Sequence, residues 1–292
     1  MIIDGKAIAE EVLVELAGEV KAITATTAHL RVGVRSRLAA VLVGDHAGSH
    51  KFLELKKKAA QKIRIDFRLY EFPADITTQK LRKEIVGIAK AQVNDGVMIE
   101  LPLPSHINTQ YVLNAIPPEK DVDVLSEKSQ GAFFAGRSVV LPPAVEAVKI
   151  ILEKHGIEPK GKNCAVFGYG LLVGKPVSHW LASQGATVSV INEFTLNPER
   201  YSQDADIVIS GVGPVRGKDP LRALAASNGA SKPLITVDMI KEGAVIIDFG
   251  KDVDFGIISK KAGLITPPLG GVGPIVIAAV LSNLVCLIKK AN

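Results

Sequence analysis

The chain has 292 residues, of which 47% are hydrophobic and 5% aromatic, with a formal charge of +5. This is enough apolar material for two domains or one large one with a real core, and it excludes a disordered chain. Lysine and arginine are scattered and stacking aromatics are few, which argues against a nucleic-acid partner, and two cysteines, Cys164 and Cys286, are too few for a disulfide framework or a zinc cluster.

The start, Met1-Ile-Ile-Asp-Gly-Lys6, lacks the basic opening and long apolar core of a signal peptide. Lys6 to Ile23 has apolar residues every three or four positions and predicts an amphipathic helix, and the polar stretch Thr24 to Arg37 predicts a loop. Leu38 to Val43 is a continuous apolar run suited to a strand buried on both faces. Gly44 to Gly48 turns the chain, and Ser49 is placed to cap a helix reaching Lys62. Asp66 to Phe72 alternates as a strand, Thr78 to Val93 predicts a helix, and Asn94-Asp-Gly96 stops it. Gly96 to Glu100 is a third strand, ended by Leu101-Pro-Leu-Pro104. A short helix, Asn108 to Ala115, leads to the loop Pro117 to Asp123.

Val145 to His155 predicts a helix bridging into a second region. There, Asn163 to Phe167 is a strand, Gly168-Tyr-Gly170-Leu-Leu-Val-Gly174 a glycine-rich turn, Val177 to Gln184 a helix, and Ala186 to Ile191 the next strand. Such a turn lets backbone N–H groups at a helix start approach a pyrophosphate. Its spacing is one residue longer than the common dinucleotide fingerprint, so a plain βα turn of a parallel sheet remains an alternative. Asp206 to Ser210 and Gly243 to Asp248 are further buried strands, with Gly211, Gly213 and Gly250 at their carboxyl ends, where parallel sheets bind ligands. Gly213 to Lys232 is polar and reads as an inserted surface loop. The final run, Ile275 to Ile288, falls short of the ~20 residues a membrane span needs and predicts a buried helix, so no membrane partner is expected and a cytoplasmic location is. Strands alternating with helices imply parallel βαβ units. The fold expected is α/β with two domains: residues 1–142 plus 274–292 as one α/β domain, and 143–273 as a Rossmann-like dinucleotide-binding domain.

Among residues able to carry chemistry, Lys56 shares a helix face with Phe52, Ala59 and Ile63. It is either a lysine snorkelling over apolar surface, or a partly desolvated one that burial biases toward the neutral amine, able to move protons. Glu100 stands at a strand end, as a solvated rim carboxylate or a site residue, and Asp121 and Asp123 lie in a loop where aspartates commonly cap turns. Thr266 to Pro274 is a rigid glycine-rich lead into the last helix, with Pro274 expected at its first position.

In order, Ile3-Asp-Gly-Lys6, Val43-Gly44 with Lys56, Ile99-Glu-Leu-Pro-Leu-Pro104, Lys120-Asp-Val-Asp123, Gly168 to Pro176, Ala205-Asp-Ile-Val208, Val245-Ile-Ile-Asp248 and Gly270-Gly-Val-Gly-Pro274 resemble the bifunctional 5,10-methylenetetrahydrofolate dehydrogenase/5,10-methenyltetrahydrofolate cyclohydrolase family along essentially the whole chain. The resemblance implies a homodimeric enzyme of one-carbon metabolism, with a tetrahydrofolate derivative in the cleft between the domains and NADP or NAD as cofactor. It makes residues 1–142 plus 274–292 the folate-binding catalytic domain. It implies a catalytic set of Lys56, Phe52, Glu100 and Asp123, and a substrate-binding set of Phe52, Ile99, Glu100, Leu101, Asp123, Leu269, Gly270, Gly271, Val272 and Gly273. The implied cofactor contacts are Gly168, Tyr169, Gly170, Val173, Gly174, Glu193, Gly211, Gly213, Gly250 and Lys251, with no metal.

The sequence departs from the family pattern at several of these positions. Phe52 stands for Tyr, Glu100 for Gln, Val124 for Gly and Leu269 for Pro. Pro142 to Ala147 replaces a Pro-Cys-Thr-Pro-x-Gly segment, Tyr169 alters the cofactor turn, and Asn192-Glu193 replaces a His-Ser pair. An acidic residue at 193 favours a ribose hydroxyl over a 2′-phosphate, so NAD is expected over the family's usual NADP. An ionised Glu100 would hold Lys56 as ammonium, so hydrolysis is expected to be weakened more than hydride transfer. Two alternatives stand beside this reading: a catalytically degenerate folate- or nucleotide-binding homologue, and another nicotinamide dehydrogenase on the same plan.

Overall fold

The computed structural model describes residues 1–27, 35–45, 47–212 and 233–291. Half of the expected loop at 24–37, residues 28–34, and the whole insertion at 213–232 lie outside the described residues, while residues 24–27 are helical rather than looped and Arg37 already opens a strand. The chain divides into two compact units, one of Ala9–Pro143 with Ile277–Asn292, the other of Met1–Ile8 with Ala144–Val276.

In the first unit, a parallel sheet runs in the order β2-β1-β3, from β1 (Arg37–Val43), β2 (Asp66–Phe72) and β3 (Gly96–Ile99). β1 is central, and Leu38 to Val43 are all buried, as its unbroken apolar run requires. The helices of this unit are α1 (Gly5–Thr27, whose first turn belongs to the other unit), α2 (Ala47–Lys62), α3 (Thr78–Lys90), α4 (Thr109–Leu113) and α5 (Glu127–Phe134). α2 starts at Ala47, so Ser49 lies inside the first turn rather than at the cap expected of it. α3 has a side-chain cap, with Thr77 accepting from the Lys80 N–H at 3.3 Å. α5 is not evident in the sequence pattern. Ser126 opens it by accepting from the Ser129 N–H at 3.3 Å.

The C-terminal helix returns to this first unit, as expected. A Cβ at Gly96 would stand 2.6 Å from both Leu284 Cδ1 and Val122 Cγ1, so only glycine lets the start of β3 pass beneath that helix. Asn283 Nδ2 donates to the carbonyls of Val122 and Leu141 at 2.8 Å each, and Lys289 pairs with Glu19 at 2.9 Å. By length and composition the helix could cross a membrane, yet Ile277, Ala278, Leu281, Leu284 and Val285 are buried in the fold.

The second unit holds a five-stranded parallel sheet in the order β5-β4-β6-β7-β8, from β4 (Asn163–Phe167), β5 (Thr187–Ile191), β6 (Ile207–Ser210), β7 (Val245–Asp248) and β8 (Leu264–Ile265). Residues 1–8 join this sheet: Ile3 N–H donates to Ile265 O at 2.9 Å and Ile265 N–H to Met1 O at 3.0 Å. Its helices are α6 (Pro143–Lys154), α7 (Gly174–Ser183), α8 (Glu199–Ser202) and α9 (Phe255–Ile258). α6 opens on a proline, whose missing N–H has no partner to lose there. α10 (Val272–Ala291) begins two residues before Pro274, which therefore lies within the first turn rather than at its first position. That turn has no intrahelical acceptor for its N–H groups, so the proline is tolerated.

Candidate active site

In the first unit the helical period of α2 sets Phe52 and Lys56 one turn apart on the face that also buries Ala59 and Ile63. Glu100 extends β3 by one residue, its N–H donating to Val41 O at 2.9 Å, which carries its carboxylate to the carboxyl end of the sheet. There Lys56 Nζ meets Glu100 Oε2 at 2.8 Å, with side-chain exposures of only 8% and 10%. The same ammonium stands 4.6 Å from the centroid of the Phe52 ring. These contacts overturn both bland readings: Lys56 does not snorkel and Glu100 is no solvated rim carboxylate.

The loop after α4 supplies two carboxylates with different tasks. Asp121 is buried and accepts from the backbone N–H of Leu125 at 3.1 Å and of Ser126 at 2.8 Å, so it ties the loop to itself. Asp123 is left to face other charges. Burial pushes its carboxyl up to about 7; Lys56 opposes the rise, while Asp121 and Glu100 add to it. Between this loop and α5, Val124 is buried with φ +58°, in the left-handed region a β-branched residue disfavours. Ile99 is buried and Leu101 partly exposed on either side of Glu100.

In the second unit the turn between β4 and α7 is built by close approach. Gly168 has φ +89°, and a Cβ on Gly174 would collide with the Gly168 carbonyl, so neither position accepts a side chain. α7 starts at Gly174 rather than at Val177, which brings the first helical N–H groups up to the turn itself. Tyr169 is half-exposed, with Lys175 Nζ 5.7 Å from its ring centroid, and Gly170 is exposed beside it. Val173 packs against Gly211. Glu193 is exposed just past β5, and Gly250 is buried beside an exposed Lys251 at φ +60°. Leu269 is exposed and Gly270 has φ +75°, leading through buried Gly271 and Val272 to Gly273 in the first turn of α10. Gly213 lies outside the described residues.

This turn, closed to side chains at Gly168 and Gly174 and leading directly into α7, fits the close approach of a dinucleotide pyrophosphate. Sequence reasoning missed the buried polar knot beside it. Asp248 accepts from the N–H groups of Gly250, Asp252 and Val253, and Asp252 accepts from the Ser210 hydroxyl and the Val212 N–H. Burial raises the Asp248 carboxyl above its ordinary value; the Asp252 charge raises it further, against the lowering by the backbone donors.

The chain matches the catalytic-domain model of tetrahydrofolate dehydrogenase/cyclohydrolase over residues 3–123, and the NAD(P)-binding-domain model of the same enzymes over residues 142–217 and 223–292. It belongs to the tetrahydrofolate dehydrogenase/cyclohydrolase family. The bifunctional protein FolD of Methanococcoides burtonii is 33% identical over 99% of this chain and 96% of its own length. The structure is similar to that of the bifunctional FolD enzyme from Campylobacter jejuni, with TM-score 0.88, 31% identity and coverage of 100% and 99% of the two chains. It is equally similar to the FolD of Trypanosoma brucei complexed with NADP and an inhibitor, with TM-score 0.88, 29% identity and coverage of 100% and 98%. Phe52, Glu100 and Val124 lie beside Lys56 and in the loop that carries Asp123, while Tyr169 lies in the glycine turn and Glu193 just past β5.

Proposed function

We propose that the protein oxidises 5,10-methylenetetrahydrofolate to its 5,10-methenyl form with NAD(P), and hydrolyses that product to 10-formyltetrahydrofolate. The observation that carries this is the sealed contact of Lys56 with Glu100 and the Phe52 ring, in a chain whose other unit carries a dinucleotide turn. A bound nicotinamide would supply the hydride acceptor for the methylene carbon. The turn from Gly168 to Gly174 offers the pyrophosphate backbone N–H groups at the positive end of α7.

Asp123 holds the pterin through its carboxylate, and Phe52 offers a stacking face in place of the family's phenol. In the hydrolytic step water adds to the methenyl carbon, a proton leaves, and the ring opens. Lys56 is the group placed to handle that proton, and its Nζ is engaged by the Glu100 carboxylate at 2.8 Å, a contact the family's neutral amide would not make as an ion pair. Hydride transfer depends on orientation rather than on this acid–base pair, so it is the more robust activity.

We further infer, from Glu193, a preference for NAD, and from the family resemblance a homodimeric, cytoplasmic enzyme of one-carbon metabolism whose product feeds purine synthesis. The retained Lys56, Asp123 and Gly270-Gly-Val-Gly273 disfavour a degenerate binding protein or a dehydrogenase of unrelated substrate. The test is methenyltetrahydrofolate hydrolysis by the parent and by Lys56→Met. Loss of hydrolysis in the variant is expected, and an unchanged rate would remove Lys56 from the mechanism.

A further inference from the structure

Three segments meet at the carboxyl end of the second unit's sheet: the glycine turn, residues 210–212 after β6, and residues 248–253 after β7. Gly168 stands against Val212, and Gly211 against Val173, so the turn and the 210–212 segment form one wall. The third segment is joined to that wall through one side chain. Asp252 is fully buried, and its Oδ2 accepts from Ser210 Oγ at 2.7 Å and from the Val212 N–H at 3.1 Å. Its own N–H donates to Asp248 Oδ2 at 2.9 Å, and Asp248 Oδ1 accepts from the Gly250 N–H at 2.9 Å. A continuous chain of hydrogen bonds therefore links Gly250 to Val212, and its step from Asp252 to Val212 joins residues 40 positions apart in sequence.

We propose that Asp252 is a positioning residue for the dinucleotide: it locks the segment after β6, and through it the glycine turn, against the segment carrying Gly250 and Lys251. The proposal rests on the reading of these segments as cofactor contacts. Asp252 touches no ligand in this account and acts only through the backbone it holds. A buried carboxylate is costly to keep unless its acceptors are filled, which a purely space-filling residue at this position would not require. Without the acceptor, the Val212 N–H and the Ser210 hydroxyl lose their shared partner, and the wall beside Gly168 is free to shift.

The experiment compares the parent with Asp252→Ala, Asp252→Asn and Ser210→Ala, by titration with NAD and NADP and by steady-state KM for cofactor and for methylenetetrahydrofolate. Loss of a hydrogen bond to a charged group predicts a cofactor KM and dissociation constant raised by about tenfold or more in Asp252→Ala. The folate KM stays unchanged. Asp252→Asn restores most of the binding, because one amide oxygen can accept both donors. Ser210→Ala, which loses one donor and keeps the carboxylate, shows a smaller rise in the same direction and decides the matter if Asp252→Ala does not fold. Equal loss for both substrates, or unchanged cofactor binding in Asp252→Ala or, failing that, Ser210→Ala, overturns the assignment while the dinucleotide reading stands. A parent that binds neither nucleotide overturns both.

Discussion

The Lys56 ammonium lies 2.8 Å from the Glu100 carboxylate, and both side chains are all but closed to solvent. Removing one partner of a buried pair of this kind leaves the other uncompensated. Glu100→Gln with Phe52→Tyr gives back the neutral amide and phenol of the family pattern, and removes the carboxylate in direct contact with Lys56. The double variant is expected to hydrolyse methenyltetrahydrofolate faster than the parent, at a stability cost of up to about 3 kcal/mol from the broken pair. Stopped-time absorbance of the methenyl substrate checks the rate, and urea unfolding checks the cost; equal rates in the two proteins would sink the idea.

Asp123 gives the folded state a pH signature. Its carboxyl value in the fold is about 7 against an ordinary 3.8, so the native state holds this proton more tightly than the unfolded chain does. The stability it contributes is therefore complete below the unfolded value and is lost as pH rises through about 7. Asp123→Asn removes that dependence. Relative to the parent, the variant should gain stability at about pH 8 compared with about pH 4, read by urea unfolding at the two pH values. Binding of folate through the ionised carboxylate predicts the opposite slope for substrate, with the parent's folate KM falling as pH rises through about 7.

Val124 is buried at φ +58°, where a Cβ costs about 1–2 kcal/mol. Val124→Ala loses the two buried γ-methyl groups and keeps the strain, whereas Val124→Gly loses the β-carbon as well and relieves it. Glycine is usually less stable than alanine by about 0.5–1 kcal/mol. Here the order should reverse, with Val124→Gly at least as stable as Val124→Ala in thermal or urea unfolding. The usual order would show that the loop carries no strain at this residue.

Glu193 is exposed immediately after β5, at the distance past the glycine turn where an acidic residue selects a ribose hydroxyl. The parent is expected to bind NAD more tightly than NADP. Glu193→Arg should shift the ratio toward NADP by about tenfold, the worth of one charge-assisted hydrogen bond near 1.5 kcal/mol. Tighter binding of NADP by the parent in a direct titration would contradict the reading.

Much of this architecture was legible because buried parallel strands announce themselves as unbroken apolar runs, as Leu38 to Val43 and Ile207 to Ile209 do. The face shared by Phe52 and Lys56 was legible for the same local reason, the helical period. What escaped depended on distance along the chain. Whether Glu100 is solvated is decided by Lys56, 44 residues earlier, and Asp252 meets Ser210 across 42 residues that include the insertion. β8 escaped because Leu264 and Ile265 are too short a run to carry a period, and their place in the sheet is set by β7 and by the N-terminal residues. The helix read from Val177 starts at Gly174 instead, because the first turn has no intrahelical acceptor for its nitrogens and so accommodates Pro176.

The central claim is tested most directly by mixing the protein with 5,10-methylenetetrahydrofolate and either NAD or NADP, and following the absorbance of the methenyl product with the reduced nicotinamide. The account predicts protein-dependent reduction of the nicotinamide with transient accumulation of methenyltetrahydrofolate, because the oxidation outpaces a hydrolysis restrained at Lys56. No reduction with either nucleotide would contradict the dehydrogenase assignment, and reduction without any accumulation of the methenyl form would contradict the role given to the Lys56–Glu100 pair.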